Sequence, residues 1–209
     1  MTQDPWEDVV EETIAVGDRE VRLVHPRDGL DLLDEEAFER DEYLPYWAEP
    51  WPSGQVLTGE VARADVRGRR VLELGCGLAL PSIAAALGGA QVLATDWSAD
   101  AIAFAEQNAL RNGVAIEFLR CSWAEPEALV ARAPWDLVLA ADVIYERRNV
   151  DQLLRLLPRL VDTTGEVWIA DPNRPTSPAF LEGAESDWHR TSVVHWVKPP
   201  ISLHRLWLR

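Results

Sequence analysis

Apolar residues recur with two periods along this chain, and the places where one period gives way to the other outline its elements. Between residues 13 and 25 apolar and polar positions alternate around Val16-Gly17-Asp18-Arg19, which predicts a β-hairpin. Residues 28–42 are acidic and aperiodic and read as a loop or irregular helix. A helix is predicted at about 53–64, and from Arg70 the alternation becomes regular. Strands are predicted at 71–74, 91–95, 116–119, 137–141 and 167–170. Between them come a helix with Pro81 in its first turn running to about Leu87, one with Ser98 as N-cap and a stop at Asn112-Gly113, and one at 150–160. This repetition predicts an α/β fold with a doubly wound, mostly parallel sheet and right-handed crossovers. Near the end, the runs at 188–197 and 201–208 are split by Lys198-Pro-Pro200, which predicts an added antiparallel hairpin. One domain is expected over 1–209, with 1–43 as an N-terminal extension and 44–209 as the core.

Candidate chemistry collects after the predicted strands. Val71-Leu-Glu-Leu-Gly-Cys-Gly77 runs from a buried strand into two glycines, and Asp96 ends the next apolar run. Glycines let the backbone approach a ligand, and a carboxylate about twenty residues on can hold a ribose diol. A dinucleotide fingerprint needs a third glycine, but Leu80 stands in its place. No Lys or Arg lies between Arg70 and Arg111, whereas Glu73 lies just before the glycines. A pyrophosphate gains most from positive partners, so a cationic ligand, the sulfonium of S-adenosylmethionine, fits better. Glu73, Gly75, Cys76, Gly77, Asp96, Trp97 and Ala141 are therefore expected around the cofactor, although Asp96 could instead cap the following helix. Cys121-Ser-Trp123 follows the third strand, where Ser122 and Trp123 can meet an adenine or Trp123 can join the core. Asp142-Val-Ile-Tyr145 follows the fourth strand directly after Ala141, with an aspartate for an amine and a tyrosine π face for a cation, or a helix cap with its cover. Asp171-Pro-Asn-Arg174 can bring a carboxylate and a guanidinium to the same cleft, or form a plain turn. The segment from Leu44 to Gln55 holds three prolines and three aromatic residues, too many for an ordinary linker.

Composition narrows the function classes. A net charge of −15 argues against nucleic acid, which needs a basic footprint, and leaves room for a basic protein partner. Two cysteines, one in the glycine loop, speak against a disulfide framework and for a reducing compartment. Residues 1–12 are acidic without an apolar run, so no signal peptide is expected, and the weakly polar stretch 78–90 is too short to span a bilayer. A cytoplasmic protein without a membrane partner is expected. The four histidines lack metal-ligand spacing, so no metal is expected, and Lys198 is the single lysine.

Together these motifs resemble the seven-β-strand S-adenosylmethionine-dependent methyltransferases, and more narrowly the methyltransferase-like protein-lysine methyltransferases. The resemblance covers Leu44 to the C-terminus. Glu73-Leu-Gly-Cys-Gly77 looks like the cofactor loop, Asp96 like the ribose acid, and Asp142-Val-Ile-Tyr145 like the motif associated with lysine substrates. Pro45-Tyr-Trp-Ala-Glu-Pro-Trp-Pro-Ser-Gly-Gln55 and Asp171-Pro-Asn-Arg174 are similar to segments of the branch that modifies the electron-transfer flavoprotein β subunit. The resemblance implies methyl transfer to a protein lysine, with Asp142 positioning the amine, Tyr145 and Trp51 lining its channel, and the Trp51 segment closing over the cofactor. A small-molecule acceptor, or cofactor binding without turnover, stays open. The chain departs from the family at Ala79, which replaces a further loop glycine, and at Ser53 and Asn173, which replace glycines of the branch-specific segments.

Overall fold

The computed structural model describes residues 4–17, 19–29 and 46–209. Asp18, Leu44, Pro45, most of the acidic segment 28–42 and the boundary expected at 43/44 lie outside them. The first pair of strands, β1 (Val9–Val16) and β2 (Arg19–Pro26), forms the expected hairpin as a separate two-stranded sheet. A 3-10 turn at Tyr46–Ala48 leads into α1 (Pro52–Arg63), with Pro52 in its first turn. Next come β3 (Arg70–Leu74), α2 (Leu80–Leu87), β4 (Gln91–Asp96), α3 (Ala99–Arg111) and β5 (Glu117–Arg120). The second half comprises α4 (Glu127–Val130), β6 (Leu137–Ala141), α5 (Arg147–Leu156), β7 (Glu166–Asp171), α6 (Ser177–Ala184), β8 (Trp188–His195) and β9 (Ile201–Leu208).

Seven strands make the main sheet in the order β5-β4-β3-β6-β7-β9-β8, parallel through β7 and antiparallel in the β8–β9 hairpin. This is the doubly wound, mostly parallel sheet expected. Because both faces are covered, strand residues sort by parity. Leu72, Leu74, Val138, Ala140, Val167 and Ile169 pack beneath α5 and α6 with Val150, Leu153 and Phe180. Val71, Leu137, Leu139, Trp168 and Ala170 face α1 and α2 through Leu57, Val61 and Ile83, and Val21 and Leu23 of the hairpin join that layer. The strand order reverses between β3 and β6, which opens a crevice beyond their carboxyl ends. No described helix is long and apolar enough to cross a membrane.

Several expected boundaries move for local reasons. The helix expected at 150–160 begins three residues earlier, at Arg147, and gives way to a 3-10 turn at Leu157–Arg159, because Pro158 has no N–H to continue it. β5 lies one residue later than expected. β8 ends at His195 rather than 197, since Trp196 and Val197 already turn toward Pro199 and Pro200. Two short helices, α4 and α6, carry too few turns to show a period and went unpredicted.

The hairpin is fastened by two asparagines four residues apart, Asn108 on α3 and Asn112 at its C-cap. Buried Asn108 accepts from Val24 N–H (2.7 Å) and donates to Val24 C=O (3.2 Å) and Leu78 C=O (3.3 Å). Asn112 accepts from Arg22 N–H (2.9 Å) and donates to Arg22 C=O (2.7 Å). Four helix residues advance about 6 Å and two strand residues about 6.6 Å, so the two amides meet alternate residues of β2 as a neighbouring strand would. Asn108→Ala leaves buried backbone groups unsatisfied and is expected to cost about 3 kcal/mol, against about 1 kcal/mol for the more exposed Asn112→Ala. Urea unfolding of both variants checks this, and equal losses would count against it.

Candidate active site

The crevice at the switch point holds a cavity of ≈ 290 Å³, at the lower edge of the roughly 300–1,000 Å³ usual for small-molecule sites. Its floor is the turn from β3 to α2. Gly75 (φ 65°), Gly77 (φ 49°) and Ala79 (φ 60°) are all left-handed, so the chain alternates handedness through five residues. A Cβ on Gly75 would meet Val143 Cγ1 at 3.2 Å, and one on Gly77 would meet Trp47 C=O at 3.1 Å. Both glycines are thus required by backbone angle and by close approach. Ala79 holds its angle at a cost of about 1–2 kcal/mol, which glycine would avoid.

Asp96 ends β4 over this turn and ties it down. Its Oδ2 accepts from Gly77 N–H and its Oδ1 from Ser98 N–H, both at 3.0 Å. Burial pushes its carboxyl above the ordinary value, while the N–H groups of Ser98, Gly77 and Trp97 pull it back. The helix cap itself is Ser98, whose Oγ accepts from Ala101 N–H (3.3 Å), so Asp96 remains a wall of the cleft.

Glu73 is not the negative charge beside the glycines that its place in the sequence implies. It is fully buried and accepts from Ser82 N–H (3.0 Å) and Ser82 Oγ at the start of α2. Burial raises its carboxyl to about 8, so it is mainly neutral at pH 7 and acts as a brace between β3 and α2. Cys76 is buried beside it, and burial pushes its thiol well above the usual value, so the thiol stays protonated.

The opposite wall comes from β6. Asp142 has φ 55° and is buried, and its carboxylate meets Arg174 through two bonds, Nε to Oδ1 (2.8 Å) and Nη2 to Oδ2 (2.9 Å). Ser53 Oγ approaches Oδ2 at 3.5 Å, the limit of a hydrogen bond. Tyr145 packs edge-on against Tyr46 at 5.2 Å between ring centroids, and Trp51, whose indole N–H donates to Tyr46 C=O (2.6 Å), stands next in line.

Of the residues expected at the cleft, Trp51, Glu73, Gly75, Cys76, Gly77, Asp96, Trp97, Ser122, Trp123, Ala141, Asp142, Tyr145 and Arg174 line this one cavity. Trp123 belongs both to the cavity wall and to the edge of the core, where it touches the hydrophobic cluster and lies 3.4 Å from the Gly75 Cβ position. Asp171, expected to offer its carboxylate to the cleft, does not line it. The carboxylate instead accepts from Arg174 N–H (3.2 Å) and Ser177 Oγ, fixing the turn into α6. Asn173, in place of a glycine, takes φ 61°, as asparagine tolerates, and binds Pro200 C=O (3.0 Å) and Ser202 Oγ (2.8 Å). Sequence reasoning missed Trp47, which covers Gly77, and the pairing of Arg174 with Asp142, 32 residues away, for which no local signal exists.

Three comparisons bear on this arrangement. The profile of a protein family described as lysine methyltransferase matches residues 49–187. The electron transfer flavoprotein beta subunit lysine methyltransferase of Xenopus laevis is 39% identical over 137 residues, covering 62% of this chain and 53% of that protein. A protein N-lysine methyltransferase of Danio rerio is 35% identical over 117 residues, 53% of each chain. The chain thus spans about half the length of these curated relatives. Among solved structures, a ribosomal protein L11 methylase of Lactobacillus delbrueckii superposes with a TM-score of 0.61 at 25% identity, covering 75% of this chain and 79% of that one. A 16S rRNA methyltransferase of T. thermophilus gives a TM-score of 0.72 at 14% identity over 97% of this chain and 51% of that one, a likeness of fold.

The Glu73 brace has a pH signature. A carboxyl raised from 4.5 to about 8 on folding stabilises the fold fully below pH 4.5, and that stabilisation is lost as pH rises through about 8. Relative to Glu73→Gln, which cannot ionise, the wild-type urea midpoint should therefore fall steadily between pH 5 and pH 9. Parallel pH dependences of the two proteins would show that Glu73 is ionised in the fold.

Proposed function

We propose, from the premise that this chain belongs to the lysine methyltransferase family, that it transfers a methyl group from S-adenosylmethionine to the side-chain nitrogen of a lysine on a protein substrate. The observation that carries this reading is that the glycine turn with Asp96 and the Asp142–Tyr145 pair line one cleft from opposite sides. The cofactor supplies an electrophilic methyl group on a sulfonium. The turn at Gly75, Cys76 and Gly77 gives it backbone polar groups at close range, and Asp96, with lone pairs beyond those used on Gly77 and Ser98, accepts from its ribose hydroxyls. Trp97, Ser122 and Trp123 would hold its adenosine, Ala141 and Trp51 would complete the wall around it, and Glu73 acts through the turn it braces. Asp142 orients the acceptor amine while Tyr145, Tyr46 and Trp51 form an aromatic passage to it. Alignment of nitrogen and methyl carbon in a site screened from water supplies most of the acceleration.

The acidic chain suits a partner with a basic surface, and neither nucleic acid nor a membrane is needed. Both cysteines are unpaired and buried, which fits a cytoplasmic setting. One methyltransferase domain, carrying the N-terminal hairpin as an extension, accounts for the described residues. Incubation with tritiated cofactor and a cell lysate, followed by separation of protein from small molecules, tests the reading. Label is expected on protein lysines. Label confined to small molecules, or binding of cofactor with no transfer to either fraction, would overturn it.

Two substitutions divide the site. Asp96→Ala removes a charged acceptor, a loss of roughly 1.5–3 kcal/mol, so calorimetry should show cofactor affinity lowered at least tenfold. Asp142→Asn removes the charge that orients the amine and should abolish most transfer while leaving cofactor affinity within a few-fold. Retention of transfer by Asp142→Asn, or parallel loss of binding and transfer, would take Asp142 off the acceptor side.

A further inference from the structure

An unpaired carboxylate is a poor companion for a lysine that must act as a nucleophile. The side-chain nitrogen of lysine is an ammonium at neutral pH, with no lone pair to donate, and a nearby carboxylate strengthens its hold on the third proton. In this structure Asp142 is already compensated. The turn after β7 sends Arg174 back over the end of β6, held by the Arg174 N–H on Asp171 and by Asn173 on Pro200 and Ser202. There the guanidinium meets both oxygens of Asp142 in the two-pronged geometry that arginine alone provides. The Asp142 side chain is 7% exposed and that of Arg174 36%, so the carboxylate is enclosed and the cation lies on the cleft side.

Among the described residues Arg174 is the single lysine or arginine on the cleft wall. The other titratable groups facing this point are Tyr46 and Glu49 ahead of α1, Tyr145 and Glu146 after β6, and Asp171 at the end of β7. Glu146 pairs with Arg148 at 2.5 Å and Asp171 is directed to α6, while both side-chain hydrogen bonds of Arg174 go to Asp142.

We propose that Arg174 sets the protonation state of the acceptor lysine: clamped on Asp142, it leaves that carboxylate able to orient the amine without retaining the amine's third proton. This rests on the methyltransferase reading above. The ammonium releases one proton to water, and the nitrogen lone pair then forms the N–C bond. The C–S bond breaks with its electron pair staying on sulfur, and the positive charge passes from sulfur to nitrogen. Arg174 is a positioning residue in this scheme, since it acts through Asp142.

The test measures kcat and KM across pH 6–10, using as acceptor the protein labelled in the lysate experiment, alongside calorimetric binding of S-adenosylmethionine. Arg174→Gln should lower kcat at pH 7 at least tenfold without raising KM and move the midpoint of the kcat profile up by about one unit, so that activity recovers in alkali. Arg174→Lys keeps the charge and loses the fork, so its midpoint should stay near wild type at reduced kcat. Cofactor affinity should be unchanged in both. A uniform loss at every pH, an unmoved midpoint in Arg174→Gln, or a midpoint shifted equally in Arg174→Lys would overturn the inference. Should Arg174→Gln fail to bind cofactor, Arg174→Met takes its place, with the same upward shift of the midpoint expected and an unmoved midpoint overturning the inference. Absence of any labelled protein with the wild type removes the methyltransferase reading and the inference with it, and is recognised without either variant.

Discussion

The cleft depends on a backbone that is left-handed at every second residue from Gly75 to Ala79. Such a path cannot hold itself, because each left-handed residue exposes peptide groups that a helix or strand would have satisfied. Its partners come from two elements. Cys76 N–H reaches Thr95 C=O on β4, Gly77 N–H reaches Asp96, and the Leu78 carbonyl is met by Asn108 on α3. Glu73 closes the arrangement from below by fixing where α2 begins. Trp47 C=O lies 3.1 Å from where a Gly77 Cβ would stand, so a larger residue there would have to displace it. The turn is therefore an imposed conformation, and the parallel sheet supplies the constraint.

The far wall is held in a similar way. Asp142 and Asn173 are both left-handed residues just beyond strand ends, and each commits its side chain to a neighbouring loop, Asp142 to Arg174 and Asn173 to the β8–β9 turn. The ends of β6, β7 and β9 are thereby joined by side chains where the sheet's own hydrogen bonds have stopped. The exposed residues of that last turn, with Trp196 at 85% exposure, border this joined region through Pro200.

Elements with a long apolar period were legible in the sequence, and so were sites defined by their position at the carboxyl end of a strand. β6 was placed to the residue because five consecutive apolar positions end at a lone aspartate. The Ser98 cap and the stop at Asn112-Gly113 were legible because local hydrogen bonding dictates them. Pairings across the fold were not. Nothing near Asp142 announces Arg174, and nothing near Asn108 announces Val24, since side-chain amides and guanidinium groups choose partners that only the folded sheet brings near. The charge of Glu73 was misjudged for the same reason: a carboxyl's ionisation belongs to its surroundings, and burial outweighs its two bonds to Ser82.

The amide of Asn108 touches Val24 of the hairpin and Leu78 of the cleft floor with the same nitrogen. Release of the hairpin from α3 would thus free a support of the glycine turn, and a ligand that orders the turn would in return hold the hairpin down. Linkage makes the two effects equal in free energy. Amide protons of β2 would then exchange more slowly with solvent when the cleft is filled, although no described side chain of β2 lines the cavity, and the N-terminal hairpin becomes a remote reporter of occupancy.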